Sequence, residues 1–344
     1  VAVPQLQSLL IRLPNHLGDA CMTLPALDRL AAAGVSLVLA GRRWAPELLA
    51  ARPWPVIGLP DSRIERVRAL RRARRELARG AGRTRTDALL FTNSLSSAIE
   101  LRVAGLRPAG YATDGRGWLL HPAVDVPSAW HGDMHTTQYY FHLALALLGQ
   151  PAAPAPAPHL PLTEAARQRA GAALARAGAG SRYVVLCPVA QGLHRGQVKC
   201  WDGFERIGRA LLADGLDIVV CPGPGERDAV HAAVPQARVI EPLDLGAFGA
   251  LLARSRLVIA NDSGPGHLAA AVGARLIGVF GVTDPRKTRP MAAAPADRAG
   301  RSGAGARGGG GANGGAEVRI VGGKNGWPSY GEVAAAVAAA LVEG

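Results

Sequence analysis

Along the first forty residues, apolar and polar positions fall into blocks that read as strand, turn, helix and strand. Residues 8–13, SLLIRL, form a short apolar run, and the polar turn Pro14-Asn15-His16-Leu17-Gly18-Asp19 follows. A helical period then sets Cys21, Leu24, Leu27 and Leu30 on one face as far as Ala33, and Gly34 ends it. Residues 35–41, VSLVLAG, are the next strand, so the stretch is a βαβ unit and implies a parallel sheet. Strands over 87–91 and around 108–112, and a helix over 135–148, complete the first half.

Residues 150–163 carry five prolines in fourteen positions, which predicts a semi-extended linker. Beyond it the alternation resumes. Strands are expected over 182–187, 217–221, 238–240, 256–260 and 275–280, with helices over 202–214, 225–233, 246–253 and 265–272. In residues 291–316, nine Gly and nine Ala fill 18 of 26 positions without a hydrophobic period, which predicts a low-complexity insertion. A strand over 318–323 and an Ala-rich helix over 331–342 end the chain. The expected organisation is therefore a Rossmann-like domain over 1–149, the linker over 150–163, a second such domain over 164–330 and a terminal helix over 331–344. A cleft between the two domains is expected.

Composition narrows the function classes. Hydrophobic residues make up 49% of 344, so the chain has enough apolar material for two cores and is not wholly disordered. No apolar run is long enough to span a bilayer, and residues 1–14 lack an export signal, so a cytoplasmic protein is expected. Cys21, Cys187, Cys200 and Cys221 show no CxxC or zinc-finger spacing and read as reduced thiols. The net charge is +13 and the pI about 10.7, which admits nucleic acid, an anionic membrane or an acidic substrate as partner. No RNP, KH, helix-turn-helix or zinc-finger signature supports the first. Only three of the 39 basic residues are lysines: Lys199, Lys287 and Lys324.

In open α/β sheets, ligands bind beyond the carboxyl ends of the strands, so the loops there are the places to look. Asp19, after the first strand, is either a helix cap or a carboxylate general base. Asn261-Asp262-Ser263-Gly264-Pro265-Gly266-His267 joins an expected strand to a helix. Its two glycines, its Asp/Ser capping pair and Pro265 make a helix start that suits a diphosphate, and an ordinary capped helix is the alternative. Lys199, at the end of the loop over 188–201, is a candidate to neutralise a phosphate, or else a surface lysine. Glu226, after Pro222-Gly223-Pro224-Gly225, could accept hydrogen bonds from a ribose or a base. No DxD, Walker A or GxSxG motif occurs. His131 and His135, four apart, could share a helical face, but no third metal ligand is evident.

These loops carry a resemblance. IRLPNHLGDACMTLPALDRL, DALLFTNSLSSAIELRVAGLRPAGY, VKCWDGFERIGRALLADGLDIVVC and NDSGPGHLAAAVGARLIGVFGVTDP, in that order, resemble glycosyltransferase family 9, the ADP-heptose:lipopolysaccharide heptosyltransferases. The FTNSLSSAIE segment looks more like heptosyltransferase II than I. The resemblance implies a GT-B fold with a C-terminal helix crossing back to the first domain. It also implies inverting transfer from an ADP-heptose donor to the anionic inner core of lipopolysaccharide, with no metal and no cofactor. Asp19 matches the family's base and Lys199 the lysine at the leaving diphosphate. Asp262, Ser263, Gly264, Gly266 and His267 match the nucleotide-sugar motif, Glu226 resembles the acidic residue near the nucleoside, and Asn93 and Ser94 fall on the acceptor side. Cys200 and Val282 depart from the pattern, where Arg or His, and Pro, are usual. A GT-B enzyme with another donor, a non-catalytic family member and a basic nucleic-acid-binding protein stay open as alternatives.

The charge is local. Residues 63–85 hold ten arginines and two glutamates, +8 of the total, with Ile64, Val67, Leu70 and Leu77 as an apolar stripe. This reads either as a solvated helix face or as a basic amphipathic helix that docks on an anionic membrane surface, which would make the protein peripheral at the cytoplasmic face of the inner membrane.

Overall fold

Ten of the strands expected from apolar runs are present, and they assemble into two parallel sheets. The computed structural model describes residues 7–80, 87–190, 192–194, 196–292 and 317–342. Most of the low-complexity stretch expected over 291–316, and residues 81–85 of the arginine-rich stretch, lie outside the described residues. The chain divides into two compact units, Val1–Pro156 and Ala157–Gly344.

The first unit's strands are β1 (Ser8–Arg12), β2 (Ser36–Gly41), β3 (Val56–Gly58), β4 (Ala88–Leu90), β5 (Pro108–Tyr111) and β6 (Ala123–Val124), in the order β3-β2-β1-β4-β5-β6. Every pairing is parallel; Leu10 of β1 lies between Val38 and Ala88. Because helices cover both faces, β1 and β4 are buried on both sides and read as unbroken apolar runs. The first expected helix is broken in two, Leu17–Met22 and Leu24–Ala32. Pro25 in the second helix brings no N–H, and the buried Thr23 at the junction donates its hydroxyl to Ala20 O at 2.7 Å.

The arginine-rich segment is a helix, Arg63–Gly80. Its expected apolar stripe needs one correction. Leu70 is in the core with Val67 and Leu77 packed beside it, but Ile64 is 67% exposed. The stripe thus serves this unit's own core. The next helix, Leu95–Val103, was not expected from the pattern.

The second unit's sheet contains β7 (Tyr183–Cys187), β10 (Asp217–Val220), β11 (Arg238–Val239), β12 (Leu257–Asn261), β13 (Leu276–Phe280) and β14 (Val318–Gly322). Its order, β11-β10-β7-β12-β13-β14, repeats that of the first sheet when each is counted along the chain, and its pairings are all parallel. A small antiparallel hairpin, β8 (Leu193–His194) and β9 (Gln197–Val198), projects from the connection after β7. Val333, Val337 and Ala340 of the C-terminal helix (Tyr330–Val342), expected to cross back, are buried in the second unit's core. The proline-rich segment is tied down within each unit. The Gln138 side chain binds Ala153 O and Ala155 N, and Leu160 N–H donates to Ala271 O.

All four cysteines are unpaired. Among the described residues, no helix is long and apolar enough to cross a membrane.

Candidate active site

A sheet ordered 3-2-1-4-5-6 has its topological switch point between the first and fourth strands, and ligands of such sheets sit beyond the carboxyl ends there. In the second unit that point lies between β7 and β12, and Asn261 is its fastener. The Asn261 Nδ2 amide donates to Pro188 O at 2.6 Å, beyond β7, and its Oδ1 accepts from Trp201 N–H at 3.0 Å. The Trp201 indole donates to Pro328 O at 3.1 Å and packs in the core. This anchorage holds the end of the loop over 188–201, and with it Lys199, against the end of β12.

Lys199 Nζ donates to the Asp262 main-chain carbonyl at 3.2 Å and lies 4.0 Å from its carboxylate. Thr283, beyond β13, donates its hydroxyl to Asp262 Oδ2 at 2.6 Å. Burial pushes the Asp262 carboxyl up from its ordinary range, opposed by the Thr283 hydrogen bond and by the positive charges of Lys199 and His194. Thr283 and His194 are additions that motif reading did not supply.

The helix Gly264–Val272 starts here with Ser263 at its cap position, yet no side chain caps it. Ser263 Oγ donates back to Asn261 O at 3.1 Å, and Asp262 is held by Thr283 and Lys199, so the expected Asp/Ser capping pair does not cap. Gly266 N–H bonds to Ser263 O, and Pro265 carries no N–H. A Cβ at Gly266 would meet only ordinary contacts, Pro290 Cγ at 3.6 Å being the nearest, so packing alone does not demand glycine there. His267 is buried in the first turn. Glu226 sits one strand over, beyond β10, where its Oε2 accepts from Gly223 N–H at 2.9 Å.

In the first unit the switch point lies between β1 and β4. Asp19 stands in the first turn of Leu17–Met22, while His16 holds the cap position, so the carboxylate is not the helix's cap. From the helix Thr136–Leu147, Tyr140 donates its hydroxyl to Asp19 Oδ1 at 3.4 Å. Burial, and then the Asp19 charge, push the Tyr140 phenol well up, which keeps it a donor.

Asn93 and Ser94, beyond β4, are held by internal bonds. Ser94 Oγ caps Leu95–Val103 by accepting from Ser97 N–H at 3.2 Å. Asn93 Oδ1 accepts from Arg116 at 3.2 Å. Arg116 is fully buried and also donates to Thr92 O at 2.5 Å and Tyr111 O at 3.0 Å.

Beside Ser94 opens a cavity of about 170 Å³, lined by Arg12, Asn15, Arg42, Arg66, Ser96 and Glu100 among others. Arg66 clasps Glu100 at 2.7 Å, and burial lowers the Arg12 guanidinium to about 10. The Arg12 Nε is buried without a hydrogen-bond partner. No sequence motif marks this cavity, because its arginines come from three separate segments.

Among the described residues, no three His, Cys, Asp or Glu side chains come together as a metal site. His131 and His135 do not share a helical face. The former ends a short 3-10 turn (Ser128–His131), whereas the latter caps Thr136–Leu147 after a break at Gly132.

A sequence model of glycosyltransferase family 9 (heptosyltransferase) matches residues 74–297, about two thirds of the chain. The chain belongs to glycosyltransferase family 9.

Within the family, an Escherichia coli protein named lipopolysaccharide heptosyltransferase 3 is 37% identical over 127 residues, 34% of this chain and 36% of that protein. The match thus spans about a third of the curated relative. Among solved structures, a family 9 glycosyltransferase from Veillonella parvula superposes with a TM-score of 0.73 at 17% identity, covering 93% of this chain and 87% of that one. The E. coli ADP-heptose lipopolysaccharide heptosyltransferase II superposes with a TM-score of 0.71 at 19% identity, covering 98% and 99%. At these identities the likeness shows the fold, which is GT-B.

Proposed function

We propose that this family 9 chain transfers a heptose from ADP-heptose to the inner core of lipopolysaccharide, with inversion at the anomeric carbon and without a metal ion. The observation that carries the reading is the second unit's uncapped helix start at Ser263–His267 with Lys199 anchored beside it. The positive end of a helix that no side chain caps and one compact ammonium suit a leaving diphosphate. The names of the relatives supply the sugar: both the curated match and the structural neighbour are lipopolysaccharide heptosyltransferases. The curated relative is a heptosyltransferase 3, whereas the FTNSLSSAIE segment resembles the II branch, so the proposal is made for the class of reaction.

The two halves of the displacement are assigned one to each unit. Asp19, held by Tyr140, takes the proton of the acceptor hydroxyl as its oxygen bonds to the anomeric carbon. The bond from that carbon to the diphosphate oxygen breaks, and ADP leaves with the electron pair. Its charge is met by Lys199 and by the positive end of the helix that starts at Gly264–His267. Asp262 holds Lys199 in place, and Glu226 beyond β10 is assigned to the nucleoside. On the acceptor side, Asn93 and Ser94 shape the loop, and the cavity with Arg12, Arg42 and Arg66 suits phosphate or carboxylate groups of the core. The acceptor's lipid places the reaction at the cytoplasmic face of the inner membrane, with nucleic acid as no part of it.

The test is purified protein with ADP-heptose and defined truncated core acceptors, the products being weighed. Asp19→Asn should lower transfer by about a thousandfold and leave ADP binding intact. Retained turnover would refute the base assignment. A mass gain with UDP-sugars instead would refute the donor.

A further inference from the structure

We infer that the first unit carries a docking surface for an anionic lipid bilayer, formed by two neighbouring helices and one exposed tryptophan. The helices are Arg63–Gly80 and Leu95–Val103. Arg66 clasps Glu100, Arg71 donates to Val103 O at 3.0 Å, and the Arg74 guanidinium lies over Gly105. These contacts advance in step, so the two helices run parallel, as successive crossovers in a parallel sheet require.

Five large apolar side chains of the first unit are exposed among the described residues: Ile64, Leu95, Ile99, Val103 and Trp118. All five lie on this one pair of helices and the turn against them. Leu95, Ile99 and Val103 are four residues apart and form one stripe on their helix. Ile64 occupies the first turn of the arginine helix, in the row that continues with Arg68, Arg71 and Arg75. Trp118, 74% exposed, sits on the 3-10 turn Gly117–Leu119, which packs against Leu95–Val103.

The charge beside this stripe is predominantly positive. Arg63, Arg68, Arg71, Arg72, Arg75 and Arg102 are exposed, against the exposed carboxylates of Glu65 and Glu76. The arginine helix cannot lay an apolar face into a membrane, because that face is spent on Leu70, Ala73 and the core. Contact is therefore made by the outer face. Guanidinium groups meet lipid phosphates, while shallow aliphatic anchors and an indole enter the interfacial layer. A nucleic acid would satisfy the arginines and leave Ile64, Ile99 and Val103 without partners; a bilayer interface takes both. The inference rests on the proposed lipid-borne acceptor for its purpose, but its test needs no acceptor.

The test is co-sedimentation of the whole protein with phosphatidylcholine vesicles, with and without phosphatidylglycerol, at low and high salt. The wild type should bind the anionic vesicles and release partly as salt rises. Each arginine near such a surface is worth about fivefold, so Arg68→Gln, Arg72→Gln and Arg75→Gln together should weaken binding about a hundredfold. Ile99→Ser with Val103→Ser keeps every charge and should remove the salt-resistant part of the binding. Equal binding to neutral vesicles, or unchanged binding by both variants, would overturn the inference. A DNA duplex bound as tightly as the vesicles, with the serine variant unaffected on either, would also overturn it and assign the patch to polyanions. Transfer to a water-soluble, lipid-free acceptor is measured beside these. All variants should retain it, and its absence from the wild type counts against the proposed reaction, not against the surface.

Discussion

Replacing Asn261 by alanine should cost both stability and nucleotide affinity, through one side chain that touches no ligand. Asn261 is 1% exposed, and its amide holds two main-chain groups, Trp201 N–H and Pro188 C=O, at 3.0 and 2.6 Å. Both residues are themselves buried. Alanine strands the two groups away from water, and each stranded group costs about 1–3 kcal/mol, so the expected loss is about 4 kcal/mol. Urea unfolding followed by tryptophan fluorescence reads it as a shift in midpoint at constant slope. Aspartate should be no milder, because it sets a second acceptor against the Pro188 carbonyl.

The affinity effect follows from the same bonds. Trp201 N–H anchors the strand end that carries Lys199, and freeing it lets the ammonium drift from the Asp262 carbonyl. A lost charge-assisted hydrogen bond is worth about 1.5–3 kcal/mol, so ADP binding by titration calorimetry should weaken about ten- to a hundredfold. A double-mutant cycle separates positioning from general damage. In a Lys199→Ala background, Asn261→Ala should weaken ADP binding little further. Additive losses, or an Asn261→Ala protein within 1 kcal/mol of wild type that binds ADP normally, would refute the argument.

Two other substitutions are informative. Asp262 is an acid whose folded pKa is raised by burial, so its contribution is fully present below the unfolded value of 3.8 and is lost as pH rises through the folded one. Asp262→Asn should therefore match wild-type thermal stability in mild acid and exceed it at neutral pH; a wild type more stable at neutral pH would contradict this. Arg116→Met strands Thr92 O, Tyr111 O and Asn93 Oδ1, and should cost about 3 kcal/mol or more in guanidinium unfolding. A loss under 1 kcal/mol would show that water or a shifted loop replaces the guanidinium.

The sequence was most legible where local chemistry decides structure. Strands β1, β7, β12 and β13 are apolar on both faces and could be read directly. The helix Leu95–Val103 was not, because its pattern is inverted: Ser97, Ala98 and Glu100 are buried while Leu95, Ile99 and Val103 face out. Its periodicity describes a surface contact rather than the core. Strands β3 and β6 are three and two residues long and leave no periodic trace. The strand order, which sets the switch points, is a matter of long-range pairing that no single segment encodes. The same limit applies to the site. The loops of Asp19 and Asn261–His267 could be found from turn and helix-start residues, but their partners are remote, Thr283 lying 21 residues from Asp262 and Tyr140 121 residues from Asp19.

The distribution of the two basic residue types separates two kinds of anion recognition. All three lysines belong to the second unit, and each follows the carboxyl end of a strand: Lys199 after β9, Lys287 after β13 and Lys324 after β14. Two of them lie beside carboxylates, Lys199 at Asp262 and Lys324 at 3.9 Å from Asp284. A compact ammonium on a flexible stem can leave a carboxylate for a single phosphate group as it arrives, a point charge for a point charge. Arginines instead crowd the helix Arg63–Gly80 of the first unit, where planar forks spread over an outer surface that also bears exposed apolar side chains. That arrangement suits an extended array of phosphates that the protein meets side-on. The overall charge of the chain therefore says little by itself. The lysine edge should respond to mutation as nucleotide affinity, and the arginine face as salt-sensitive surface binding.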